Sequence, residues 1–303
     1  GRPRKPDTLP PQTTPGKAPQ SLKIRLPYDF TPRAYQLPVF QALDSGIKRV
    51  ALIWHRRAGK DLTGLNYTSK AAYTRVGIYY HFLPTYSQGK KIVWDGMNKE
   101  GRRFLDYFPS DLIANKNDSD MKLRLKNGSI FQVVGTDNID SIVGTNPIGC
   151  VFSEYSLQNP KAWDYVRPIL LENGGWAMFC FTPRGKNHGW DLYEMARKNS
   201  ETWFCSLLTI DQTTREDGHP VFTQADVEQE ILQGMDADLA RQEYWCSFEG
   251  PMQGSYYGRQ LIQLEKDGKI TGVSWEPRVP VQTWWDLGIG DSMAIWFTQN
   301  VGR

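Results

Sequence analysis

The sequence predicts an α/β protein built on a mostly parallel sheet with helices on both faces. Short apolar runs at 49–54, 76–83, 148–152, 175–181 and 203–210 show no strict polar alternation, as expected of strands buried on both sides. Stretches of helical character separate most of these runs, the pattern of strands joined by crossovers. Polar residues stand at the carboxyl ends of three of the runs: Gly59-Lys60, Ser153-Glu154 and Thr182. Open α/β sheets bind their ligands at that end.

Taken in order, residues 1–20 are rich in Pro, Thr, Gln and Lys and poor in large apolar side chains, which predicts a disordered tail. Gly1-Arg2-Pro3-Arg4-Lys5 is similar to the core of an AT-hook. A single copy also fits a plain soluble basic tail. Thr31-Pro32 reads as a helix start, with Thr as N-cap and Pro at the first helical position; Tyr35, Val39 and Leu43 follow on one face. After the strand at 49–54 come a basic turn and a helix over 61–73. A strand at 76–83 stops at Pro84, and 86–104 reads as helical. Residues 121–126 alternate strictly, Asn127-Gly128 signals a type I′ turn, and 129–134 returns as a strand. Residues 223–248 read as one or two charged helices, forming a small helical subdomain on the edge of the sheet. The breaker cluster from Gly250 to Ser255 marks a boundary, after which strands are expected at 282–288 and 294–297. Two strands make no stable domain by themselves, so a fragment or partly resolved longer protein is expected.

A chain of 303 residues has room for one large domain or two ordinary ones. No window approaches the roughly 18 apolar residues of a membrane span, and no signal-peptide pattern opens the chain. Cys150, Cys180, Cys205 and Cys246 are scattered without a Cys-x-x-Cys pair, so reduced thiols are expected and a zinc site is not. The net charge of +3 hides an asymmetry. Residues 1–35 carry seven Lys/Arg against two Asp, leaving 29 Lys/Arg and 31 Asp/Glu in the remainder. The body is therefore no uniformly basic nucleic-acid binder, and contact with DNA has to come from local patches.

The chemistry centres on Trp54-His55-Arg56-Arg57-Ala58-Gly59-Lys60-Asp61. A strand feeding a Gly-Lys turn at a helix start is the geometry that grips a nucleotide's phosphates, through backbone N–H groups, the helix dipole and a lysine charge. The usual pattern has Gly where Trp54 stands and Ser or Thr where Asp61 stands. A solvated basic loop is the plain alternative. Arg57, Ala58, Gly59, Lys60 and Asp61 are the candidate ATP-binding residues. Lys60 is the candidate contact of the β- and γ-phosphates, and Arg56, ahead of Arg57, is the candidate charge-stabilising arginine acting in cis, with phosphate-independent salt bridging as the plain alternative. Glu154 has the placement of a general base, while Asp61 and Ser153 are the candidate magnesium ligands. Gln36 is a candidate reader of the adenine edge, an exposed helical Gln being the commoner case. Thr182 is a candidate sensor of the γ-phosphate. Asp286 ends a strand in an Asp-Leu-Gly-x-Gly-Asp sequence similar to the first acidic strand of ribonuclease H-like nucleases, which hold two divalent metals with clustered carboxylates. Asp291 reads as a turn residue.

Arg33-Ala34-Tyr35-Gln36, the His55–Asp61 loop, Gly149-Cys150-Val151-Phe152-Ser153-Glu154, Phe181-Thr182-Pro183-Arg184-Gly185 and Trp284-Trp285-Asp286-Leu287-Gly288 follow one another in an order that resembles the large terminase subunit of tailed bacteriophages. The resemblance runs from about residue 30 to the end. It implies a P-loop (ASCE-type) NTPase core over 21–210, a helical linker or lid over 211–250, and the beginning of a ribonuclease H-like nuclease domain over 251–303. It implies an ATPase that uses ATP and Mg2+ to translocate double-stranded viral DNA into a procapsid. An endonuclease using Mg2+ or Mn2+, with Asp286 as a metal ligand, is implied only for the full-length protein. The implied partners are the portal protein, the small terminase subunit and further copies of the chain in a ring, in the host cell cytoplasm and without a membrane. By the same resemblance Gln36 recognises adenine, Arg56 acts in cis, Lys60 grips phosphate, Glu154 is catalytic and Thr182 couples hydrolysis to motion. The alternatives are an ATP-dependent nucleic-acid helicase and a phosphate-binding docking module without catalysis.

Overall fold

The computed structural model describes residues 24–250, 257–272, 274–287 and 293–301. The tail at 1–20 with its AT-hook-like start, most of the cluster from Gly250 to Ser255, and Asp291 lie outside the described residues. The chain divides into two compact units, Gly1–Gly250 and Pro251–Arg303.

The first unit is built on an eight-stranded sheet. The strands are β1 (Arg49–Trp54), β2 (Ile78–Leu83), β3 (Ile113–Asn117), β4 (Lys122–Leu125), β5 (Ile130–Gly135), β6 (Pro147–Ser153), β7 (Trp176–Phe181) and β8 (Trp203–Leu208), in the order β3-β4-β5-β2-β6-β7-β1-β8. The six strands from β5 to β8 along this order pair in parallel, and β3 and β4 add an antiparallel extension. β6 and β7 are buried along their whole length, which is why their sequence is apolar throughout. The helices α1 (Leu37–Asp44) and α2 (Lys60–Thr74) cover the face carrying Val50, Leu52 and Trp54. Beyond the short α3 (Tyr86–Gly89), the helices α4 (Lys161–Glu172) and α5 (His188–Lys198) cover the face carrying Ala51 and Ile53. On that second face the rings of Phe82 and Phe152, and of Phe152 and Phe179, stack at 4.8 Å across three neighbouring strands. The sheet thus brings the carboxyl ends of β1, β2, β6 and β7 side by side.

Three local expectations change, and one strand is unannounced. α1 begins at Leu37, not at Thr31, because residues 33–36 close a turn instead: the Gln36 N–H donates to Arg33 O at 2.8 Å. The helix expected over 86–104 is only α3 (Tyr86–Gly89) and a π-helical turn, Lys90–Trp94. A Cβ on Gly96 would stand 2.0 Å from Ile92 O, so the chain folds tightly back there and the helix cannot run on. The Asn127-Gly128 turn is a three-residue loop. Only Gly128 has positive φ (97°), Gly128 N–H donates to Leu125 O, and Leu125 N–H donates to Ser129 O. The edge strand β3 has no apolar alternation to announce it; apart from Ile113 its residues are exposed, and Lys116 blunts the edge against further pairing.

Beyond β8 the chain forms α6 (Gln224–Leu232), capped by Thr223, and α7 (Ala237–Trp245), capped by Asp236. These helices pack on a small core of their own, Ile210, Val227 and Ala240 with Phe222, Ile231 and Tyr244 around it. In the second unit, α8 (Gly258–Lys266) precedes an antiparallel pair, β9 (Gln282–Asp286) and β10 (Ala294–Thr298).

Candidate functional site

The loop after β1 is shaped by two left-handed residues, Arg57 (φ 66°) and Gly59 (φ 82°). At Gly59 a side chain would be strained, and its Cβ would meet Gln36 Nε2 at 2.8 Å. α2 starts at the next residue, so the N–H groups of its first turn open toward the loop. The segment before α1 backs this loop. Tyr35 Oη donates to Ala58 O at 2.9 Å, Gln36 Nε2 approaches the same oxygen at 3.4 Å, and Arg33 donates to Tyr35 Oη. Gln36 is buried, not the exposed helical residue that is the commoner case.

Lys60 is buried, with its ammonium donating to Trp54 O (2.9 Å), His55 O (3.2 Å) and Thr182 Oγ1 (3.1 Å). All three acceptors are neutral, so the charge has no direct counter-ion among the described residues. A cation at a helix N-terminus opposes the helix dipole unless an anion joins it. Thr182 also reaches Trp54 O, and the Ser156 hydroxyl donates to Thr182 O at 2.8 Å, so the ends of β1 and β7 and the turn after β6 share one hydrogen-bond chain.

Asp61, half-buried in the first turn of α2, accepts a hydrogen bond from the Ser153 hydroxyl at the end of β6. His81 of β2 is fully buried, with Nε2 3.8 Å from Asp61 Oδ1 and no hydrogen-bond partner for either ring nitrogen. Burial by itself pushes the Asp61 carboxyl up, but His81, Ser153 and Lys60 outweigh it and hold its pKa below the ordinary value. Glu154 follows in a left-handed conformation (φ 55°) that a non-glycine residue adopts rarely. Its Oε2 is buried without a hydrogen-bond partner, and burial raises its pKa against the opposing pull of Lys60. A carboxylate short of partners and easier to protonate than usual has the character of a proton acceptor. Gln158 fixes this corner by donating to Ser153 O (2.7 Å) and Phe82 O (3.0 Å).

Two arginines converge on a buried acid of α7. Glu243 pairs with Arg184, which follows β7, and with Arg56 at 3.5 Å. His55 is tied to the same side of the site: its ring nitrogens lie 2.6 Å from Arg56 O and from Thr213 Oγ1. Because a carbonyl only accepts, Nδ1 carries the proton and Nε2 accepts from the Thr213 hydroxyl.

Gln36, Arg57, Ala58, Gly59, Lys60, Asp61, Ser153, Glu154 and Thr182 therefore gather at one end of the sheet, with Arg56 on its rim. Asp286 ends β9 of the second unit and is exposed, and no group of three or more His, Cys, Asp or Glu suited to a metal occurs among the described residues. Sequence reading missed Glu243, His81 and the hydrogen-bonding role of Tyr35. His81 carried a signal, as the one imidazole in an otherwise apolar and aromatic strand. Glu243 sits in a charged helix and carried none.

No family model matches the sequence, and no curated protein matches it. Solved structures do match the fold. The ATPase domain of the Thermus phage P74-26 large terminase superposes with a TM-score of 0.54 at 17% identity, over 72% of this chain and 94% of that one. The large terminase of a thermophilic bacteriophage in complex with ADP gives 0.56 at 14% identity, over 88% of this chain and 65% of that one. The same terminase with ATP-gamma-S gives 0.54, over 87% and 63%. The site thus lies in a chain that has the fold of a phage large-terminase ATPase domain.

Proposed function

We propose that this chain is the ATP-hydrolysing part of a DNA-packaging motor. The observation that carries the reading is a buried lysine with no direct counter-ion among the described residues, at a glycine-bent strand-to-helix turn, near a half-buried glutamate with a buried, unpartnered oxygen. Relatives of the same fold in complex with ADP and ATP-gamma-S support it. Lys60 and the N–H groups from Ala58 to Asp61 bind the phosphates. Glu154 Oε2 accepts the proton of a water aligned on the γ-phosphorus, and the burial that raises its pKa also excludes bulk water. Gln36, held under Gly59, is placed to read the adenine. Arg56 stabilises charge developing on the γ-phosphate. Thr182, bonded to Lys60, passes the state of the phosphates to the segment that follows β7.

The residues fit a magnesium ion. A hard cation takes oxygen ligands and keeps several waters. Asp61 and Ser153 offer one carboxylate and one hydroxyl from facing elements, the usual pair with places exchanged. When bound, the ion would neutralise phosphate charge. In the same reading residues 21–210 form the motor core, 211–250 the moving linker and 251–303 the start of a metal-dependent nuclease with Asp286 as a ligand. The working assembly is a ring of copies on a portal, acting on double-stranded DNA with a small terminase subunit.

Steady-state ATPase assays test the proposal. Lys60→Ala and Glu154→Gln are each expected to abolish turnover, while Glu154→Gln keeps nucleotide affinity. Turnover unaffected by both substitutions overturns it. A packaging motor leaves a forked duplex paired; strand separation would favour a helicase instead.

A further inference from the structure

We propose that His81 is a positioning residue for the cation site: through an N–H on Nε2 it steadies one oxygen of Asp61 and leaves the other to the ion. The inference rests on the nucleotide and magnesium reading above. His81 stands within the sheet, opposite Val133 of β5 and Val151 of β6, and it is fully buried. The parallel ladders on both sides serve its backbone, but neither ring nitrogen has a hydrogen-bond partner. Unpaired polar groups are costly inside a protein, so a ring in this place wants a reason. The acid within reach is Asp61, whose Oδ1 lies 3.8 Å from Nε2. That gap is about 1 Å longer than an N–H···O hydrogen bond, and a slight settling of the first turn of α2 closes it. A neutral imidazole carries one N–H, and with the proton on Nε2 the ring donates to the carboxylate. Residues two apart share a face of a strand, so Ser153 stands one step beyond Val151 on the face that α2 covers. Asp61 thus reaches down onto two neighbouring strands, and both contacts fall on one oxygen: Oδ1 accepts from the Ser153 hydroxyl and faces His81. No hydrogen bond to Oδ2 occurs among the described residues. Holding one oxygen fixes the direction of the other, which a small ion of strict geometry requires of a carboxylate ligand.

The test measures affinity for ATP-γ-S in EDTA and across a series of free Mg2+ concentrations. His81→Phe keeps a ring of similar shape beside Phe131 and removes both nitrogens. It is expected to leave the affinity in EDTA unchanged and to raise the Mg2+ concentration at half-effect about tenfold. His81→Asn, polar but too short to reach Asp61, is expected to give the same shift, so the result does not depend on one variant folding. His81→Gln, which returns an N–H near the place of Nε2, is expected to recover most of it. In an Asp61→Asn background His81→Phe should move nothing further. A merely structural His81 would weaken binding with and without magnesium alike. That outcome overturns the proposal, as does an unchanged magnesium midpoint in folded variants or a shift that persists without the Asp61 carboxylate. Wild-type protein that binds no ATP-γ-S, or binds it without regard to magnesium, defeats the reading beneath, and this inference with it.

Discussion

At the scale of single residues, Gly59 and His55 show how little latitude the loop has. Gly59→Ala places a Cβ against Gln36 Nε2 at a left-handed φ, which costs about 1–2 kcal/mol for the conformation alone. Relieving the clash means moving the loop or Gln36. The expected outcome is a folded protein that loses most of its nucleotide affinity, measured by titration with a fluorescent ATP analogue. His55 gives a pH signature. Burial, the largest influence, lowers its pKa from 6.5 to about 4. Between those values the unfolded chain takes up a proton at this ring and the folded chain does not. Stability is therefore full above pH 6.5 and falls on acidification toward pH 4, by at most roughly 1.4 kcal/mol per unit. Urea unfolding across that range should show the slope, and His55→Asn should flatten it.

At the scale of elements, α2 and β6 face each other through Asp61 and Ser153, and the exchange of acid and hydroxyl makes a sharp prediction. Asp61→Ser removes the one carboxylate and Ser153→Asp sets two beside each other; either single change is expected to lower magnesium-dependent turnover by an order of magnitude or more. The double exchange restores one carboxylate and one hydroxyl and is expected to recover much of the loss. Additive losses in the double variant would remove these two residues from the cation site. The sequence already held most of this element level. Strand β1 and the positions of Lys60, Ser153, Glu154 and Thr182 were legible because a strand buried on both faces is apolar until its end, so the first polar residue marks the site. The start of α1, the π turn at Lys90–Trp94 and the strand β3 were not, because side-chain hydrogen bonds and backbone crowding set them, not periodicity.

At the scale of the whole molecule, the buried residues of the cores on the sheet's two faces run from Val39 to Phe248, with Phe30 and Tyr35 packed against the first core. Phe152 stacks on Phe82 and Phe179 at the centre, fully buried. Phe152→Ala is expected to cost about 3–5 kcal/mol of stability, checked by denaturant unfolding. Every residue of the proposed nucleotide site in the loop after β1 and at the ends of β6 and β7 also lies in the first unit. A chain ending at Gly250 is expected to bind ATP-γ-S as the longer chain does, measured by calorimetry.

The sequence by itself determined the mostly parallel sheet and which polar residues follow its strands, because burial and strand termination are written locally in apolar runs and the polar residues that stop them. Only the tertiary structure decided which side chains meet. Gln36 lies under Gly59, His81 behind Asp61, and Glu243 between Arg56 and Arg184, across separations of 23, 20, 187 and 59 residues. Such pairings depend on how crossovers bring distant segments together, and a charged position on a helix looks the same in sequence whether it faces water or a pair of arginines.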